Sequence, residues 1–109
     1  AYQPEIYFGY DQYDVDDKGV DIAKHYAQIL VNNPQKSVRL VGNTDERGTP
    51  EYNLALGERR ANSVAEIMML YGVSKNKIEV VSLGEEQPMV DGSNEAAWAK
   101  NRRVDIIIK

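Results

Sequence analysis

Two opposite charges stand out for their spacing: Asp45 in a polar loop, and Arg60 on the helix that should follow it. The run from Val41 to Ala61 reads as the end of a buried strand, a loop and three helical turns. Gly42, Asn43, Thr44, Gly48 and Pro50 punctuate the loop. Thr49 suits an N-cap and Pro50 the first helical position, where proline's missing N–H would have had no intrahelical partner. Downstream, Asn53, Leu56, Arg60, Val64, Ile67, Met68 and Tyr71 recur at steps of three and four residues and share one face. Arg60 is thus a permanent cation on an inward stripe, whereas Arg59, rotated by about 100°, can be solvated. An inward guanidinium requires an anion, because an unpaired buried charge is strongly destabilising. Asp45 is the nearest suitable carboxylate in sequence.

Three chemistries compete for this pair. In the first, Asp45 and Arg60 bind each other and pin the loop to its helix, a purely structural role. In the second the site is catalytic, with Asp45, Glu46 and Asp11 as carboxylates for acid–base work. Adjacent carboxylates rarely straddle one bond, and no apolar surroundings promise a raised pKa. Gly-x-Ser-x-Gly, Walker and His-Glu-x-x-His patterns are all missing. In the third, the site binds a small zwitterion. Arginine forks onto the ligand carboxylate, aspartate takes its ammonium, and backbone N–H groups at the helix start assist.

The elements that position these residues follow from the flanking pattern. Ile6-Tyr7-Phe8 is a short β-prone run, apolar on both faces and expected as a central strand. Gly9 to Tyr13 leads out of it as a polar loop. Asp16-Asp17 opens a helix whose inward face is Gly19, Ile22, Ala23, Tyr26, Ile29 and Leu30; Asn33-Pro34 ends it. His25, the only histidine, is expected at the surface. Ser37 to Val41 alternates as a second strand. The long helix runs from Pro50 to Tyr71 and Gly72 closes it. Lys77 to Leu83 gives a third strand, Glu95 to Lys100 a short helix with Trp98 as a packing anchor, and Val104 to Ile108 a last strand.

The order β-α-β-α-β-(short α)-β predicts an α/β two-layer sandwich: a four-stranded mixed sheet with two long helices packed on it. The loops Gly9–Tyr13 and Gly42–Pro50 should leave the carboxyl ends of the first two strands together, where open α/β sheets place their sites.

The 109 residues fit one domain, and a net charge of -4 argues against non-specific nucleic-acid binding. The local pairs Arg59-Arg60 and Arg102-Arg103 can still meet a carboxylate or phosphate. With no cysteine, disulfides, thiolate metal sites and cysteine nucleophiles are excluded within this sequence. No apolar run is long enough for a membrane-spanning helix. Starting at Ala1, the sequence reads as a processed or excised domain.

The run Gly42-Asn-Thr-Asp-Glu-Arg-Gly-Thr-Pro-Glu-Tyr-Asn-x-x-Leu-Gly-x-Arg-Arg-Ala61 closely resembles the signature of OmpA-like peptidoglycan-binding domains. Agreement extends to Tyr7 through Asp14, Val81 through Pro88, Asn94 through Ala97 and Lys100 through Arg103. The resemblance implies one OmpA-like domain over residues 1–109, without enzymatic activity or cofactor. It also implies non-covalent binding of the peptidoglycan stem peptide through meso-diaminopimelate. Asp45 and Arg60 match the family residues that hold the ligand's ammonium and carboxylate; Asn53 and Leu56 match the asparagine and leucine beside them. Tyr10, Asp11 and Gln12 match the groove-lining loop after the first strand. Thr44 and Arg47 belong to the same motif and are expected as ligand-binding residues, Arg47 reaching ligand or partner. A periplasmic location follows by resemblance, tethered to the outer membrane by an acylated N-terminal cysteine outside this sequence. So does engagement of the Tol system, notably TolB. The alternatives are a wall-anchoring domain of another envelope protein, or an interaction domain with no wall ligand.

Overall fold

The computed structural model describes residues 2–109. Its elements are β1 (Glu5–Tyr7), α1 (Asp17–Asn32), β2 (Val38–Asn43), α2 (Pro50–Leu70), a 3-10 turn (Lys75–Lys77), β3 (Ile78–Gly84), α3 (Glu95–Asn101) and β4 (Arg103–Ile108). Thr49 is the N-cap expected for α2, and Asp16, of the acidic pair expected to open α1, caps that helix. Asp16 accepts from the Gly19 N–H at the start of α1, and Thr49 accepts from the Tyr52 N–H ahead of Pro50. Each side chain satisfies one of the helix's orphan donors. Gly72, at φ 103°, turns the chain after α2.

The sheet order is β1-β4-β2-β3, with β2 and β3 parallel and β4 antiparallel to both β1 and β2. β1 is therefore an edge strand and not a central one. Ile6 and Phe8 are buried by the helix layer, so the edge strand's apolar content reflects cover from α1 and not a neighbour on each side. Helices α1 and α2 cover one face. Ile6, Val38, Leu40, Val104 and Ile106 of the sheet meet Ile22, Ala27 and Leu30 of α1 and Ala61, Val64 and Met68 of α2. The α2 stripe is buried from Asn53 to Met68 except for the partly buried Ile67, and Tyr71 lies past the helix end and is exposed.

Gly42 and Asn43 continue β2 and are not yet loop. The reason is a contact between backbones. A Cβ on Gly42 would sit 1.7 Å from the Gly57 carbonyl oxygen, and one on Gly57 would sit 2.4 Å from Ser82 Oγ. Two glycines let α2 lie directly on β2. β1 and β2 both run antiparallel to β4, so their carboxyl ends lie at the same end of the sheet. The end of β3 joins them, since Asn43 pairs with Gly84, and α3 delivers the chain into β4 there.

Candidate functional site

At that end a small pocket of about 50 Å³ is lined by Tyr10, Asp11, Thr44, Asp45, Arg47, Gly48, Tyr52, Asn53, Leu56 and Arg60. Eight of the nine residues expected from the sequence thus meet at one place. The ninth, Gln12, contributes its backbone, as the carbonyl oxygen that accepts from Arg60 Nε at 2.7 Å. Larger clefts open between β1 and α1, about 590 Å³, and over the uncovered sheet face, about 470 Å³. Neither contains a buried cation lacking a carboxylate: the buried Arg103 beside the second is paired with Asp105 at 2.9 Å.

Arg60 is 1% exposed. Its Nε, Nη1 and Nη2 donate to the carbonyls of Gln12 (2.7 Å), Asn43 (2.9 Å) and Gly9 (3.1 Å). One side chain therefore stitches the loop after β1 to the end of β2. No carboxylate among the described residues lies within 4.0 Å of it. Burial lowers its pKa to about 10, partly offset by the charge of Asp45 nearby, so it remains a cation at neutral pH. The direct Asp45–Arg60 ion pair of the structural reading does not form.

Asp45, 4% exposed, is held instead by Arg47. The Arg47 backbone N–H and Nε donate to Oδ1 at 3.0 and 3.1 Å, and Nη2 donates to Oδ2 at 2.8 Å. Arg102 Nη1 stands 3.6 Å from Oδ2. Burial alone would raise the Asp45 pKa. The bonds from Arg47 and the two guanidinium charges outweigh it and hold the carboxyl below its ordinary range.

Arg47 is itself clamped between two rings, with its guanidinium carbon 4.0 Å from the Tyr10 centroid and 3.9 Å from that of Trp98. Trp98 is half-buried at the site and takes no place in the hydrophobic core, contrary to the packing role expected of it. Its Nε1 donates to Glu46 Oε1 at 3.0 Å, and the Ser93 hydroxyl donates to the same oxygen at 2.5 Å. These two bonds hold the exposed Glu46 carboxyl below its usual range. α3 is thereby tied to the Asp45 loop.

The remaining expected residues frame the opening. Asn53 Nδ2 donates to Glu85 Oε1 at 2.7 Å, and buried Leu56 supplies an apolar wall. The Thr44 N–H donates to the Gly84 carbonyl at 2.9 Å, fastening this loop to the end of β3. Asp11 adopts a left-handed backbone, φ 57°, and accepts from the Tyr52 hydroxyl across the mouth. Sequence reasoning missed Tyr52 and Trp98. It noted Arg102 only as half of a basic pair. Tyr52 stands inside the signature but off the inward stripe of α2, and Trp98 and Arg102, on α3 and its C-cap, are brought to the site only by the placing of that helix.

A two-layer α/β domain, with oppositely charged buried groups where three strands end, defines a class. The chain belongs to the OmpA family, which matches residues 7–102. Within that family its similarity is to the peptidoglycan-associated lipoproteins. It is 48% identical to that of Pasteurella multocida over 90% of this chain, and 50% identical to that of Haemophilus influenzae, again over 90%. The chain spans 65% and 64% of the length of those two relatives. The crystal structure of the peptidoglycan-associated lipoprotein from Burkholderia pseudomallei is 45% identical, with a TM-score of 0.95 over 98% of this chain and 91% of that one. The C-terminal domain of Helicobacter pylori MotB shares the fold, at a TM-score of 0.87 and 20% identity over 96% of this chain and 83% of that one.

Proposed function

We propose that this domain is a non-enzymatic wall-binding module that holds the stem peptide of peptidoglycan through the side chain of meso-diaminopimelate. Arg60 carries the reading. A guanidinium buried to 1% exposure with no carboxylate partner among the described residues is a receptor short of one anion. Guanidinium has five N–H donors, and three atoms of Arg60 each spend one on a backbone carbonyl. One N–H on each of Nη1 and Nη2 is left for a ligand carboxylate. Asp45, on the same pocket, supplies the opposite charge for the adjacent ammonium. Leu56 meets the methylene chain between them, and Asn53, Thr44 and the Tyr10–Gln12 loop bound the rest of the peptide.

The relatives' description as peptidoglycan-associated supports the choice of ligand, and their description as lipoproteins supports the setting. There the domain sits in the periplasm of a Gram-negative cell, tethered to the outer membrane by a lipid on a preceding segment, and links that membrane to the wall. Exposed Tyr10 and Tyr52 at the mouth give a rim suited to a protein partner, and TolB of the Tol system is the partner proposed for it.

Calorimetric titration with two muropeptides differing only in the third residue tests the ligand. Diaminopimelate-type peptide should bind, and lysine-type peptide, which lacks the side-chain carboxylate, should bind at least about tenfold more weakly. Equal affinities would remove the role given to Arg60.

A further inference from the structure

The ligand reading asks Asp45 to take an ammonium, yet both of its oxygens are already engaged by a cation from the same loop. Arg47 presents one guanidinium edge to Asp45 through Nε on Oδ1 and Nη2 on Oδ2, at 3.1 and 2.8 Å. The two aromatic faces of Tyr10 and Trp98 hold that guanidinium on either side. With Arg47 seated, the pocket has about 50 Å³ of free space, on the order of a few waters.

We infer that Arg47 is an internal stand-in for the ligand's ammonium, and that binding proceeds by exchange: the guanidinium leaves Asp45 as the ammonium arrives. The inference rests on the wall-binding reading above and assigns Arg47 a role opposite to that of a ligand contact.

Exchange conserves charge around a buried carboxylate, and this makes it selective. Arg102, at 3.6 Å, stays beside Asp45 in either state, and the one mobile positive charge is supplied first by the protein and then by the guest. A guest with a neutral group at that position would leave Asp45 with Arg102 alone, a guanidinium already paired with Glu95 at 2.9 Å, so Arg47 would return and expel it. Geometry permits the release. Arg47 is two residues from Asp45 in a connection without helix or strand, its side chain is 29% exposed, and Gly48 next to it has φ 100°. No element of the fold has to open. Arg60 and Arg102, fixed to backbone carbonyls of neighbouring segments, have no such freedom.

The test compares wild type with Arg47→Gln, using diaminopimelate-type muropeptide and the same peptide acetylated on the side-chain amine. Calorimetry is paired with emission from Trp98, the only tryptophan and the ring under Arg47. Arg47→Gln should bind the free-amine peptide about tenfold or more tightly than wild type does, with no gain for the acetylated one. Saturating free-amine peptide should change Trp98 emission in wild type, and the variant without ligand should already emit as the wild-type complex does. Equal or weaker binding by a variant with a cooperative melt would overturn the exchange while leaving the wall-binding reading intact. So would wild-type binding with unchanged Trp98 emission. If neither protein binds the free-amine peptide, the wall-binding reading fails, and the exchange with it.

Discussion

Asp45 and Arg60 share a pocket but are stabilised by different means, and the difference gives each a separate signature. Arg60 is solvated by three backbone carbonyls and keeps an unneutralised charge; Asp45 is neutralised by the side chain and backbone N–H of Arg47. A carboxyl whose pKa is lower folded than unfolded stabilises the fold fully above its unfolded value, near ~4, and loses that contribution as pH falls through the folded value. Asp45 is such a group. Asp45→Asn should therefore cost about 1.5–3 kcal/mol at pH 7, the range of charge-assisted hydrogen bonds to a buried group. The gap from wild type should close as the pH drops well below 4. Urea denaturation of both proteins at pH 7 and at about pH 2.5 checks the sign; a gap that widens in acid would contradict it. The inward cation was legible in the sequence, because Arg60 falls on the helical period of Leu56 and Val64. Its partners were not, since carbonyls of Gly9, Gln12 and Asn43 have no side-chain signature.

Between elements, the decisive contact is the one with the least side chain. Gly42 of β2 and Gly57 of α2 touch backbone to backbone, and this closeness brings Arg60, one turn beyond Gly57, within reach of the Asn43 carbonyl. Gly42→Ala places a methyl 1.7 Å from a backbone oxygen that has no rotamer to yield. The helix would have to lift from the strand, so the expected loss is about 3 kcal/mol, at the upper end of overpacking. Thermal or denaturant unfolding measures it, and a loss under about 0.5 kcal/mol would show that α2 can move. Gly42 reads in sequence as loop punctuation, because glycine marks turns and close approaches alike. The short α3 illustrates the same limit. Trp98 on a seven-residue helix reads as a core anchor, but the helix lies beside the pocket and its ring meets Arg47.

At the scale of the whole molecule, one end of the sheet collects the ends of β1, β2 and β3 and the entry to β4, so loops distant in sequence share a mouth. On the uncovered sheet face, by contrast, the buried Arg103 is paired with Asp105 and the partly exposed Arg39 with Glu79. Because the pocket proposed for the wall peptide adjoins the aromatic rim, that peptide and the Tol-system protein proposed for the rim should compete. Adding saturating diaminopimelate-type muropeptide should weaken TolB binding at least about tenfold in a surface-based or fluorescence assay. Unchanged TolB affinity would place the protein partner elsewhere.

Local rules reach a long way here. Capping residues, the helical stripe through Arg60 and the alternation in Val38 to Val41 and Val104 to Ile108 determine the order of elements, the mixed sheet and the loop that carries the charges. Each of these depends on neighbours within a few residues, and the signature between Gly42 and Ala61 is contiguous. What only the tertiary structure decided is how each charge is satisfied. β1 lies at the edge because β4 inserts between it and β2, and Asp45 turns to Arg47 because Tyr10 and Trp98, from opposite ends of the chain, clamp that guanidinium in place. Such pairings depend on which groups the fold brings within about 4 Å of one another, and sequence spacing carries no such distance.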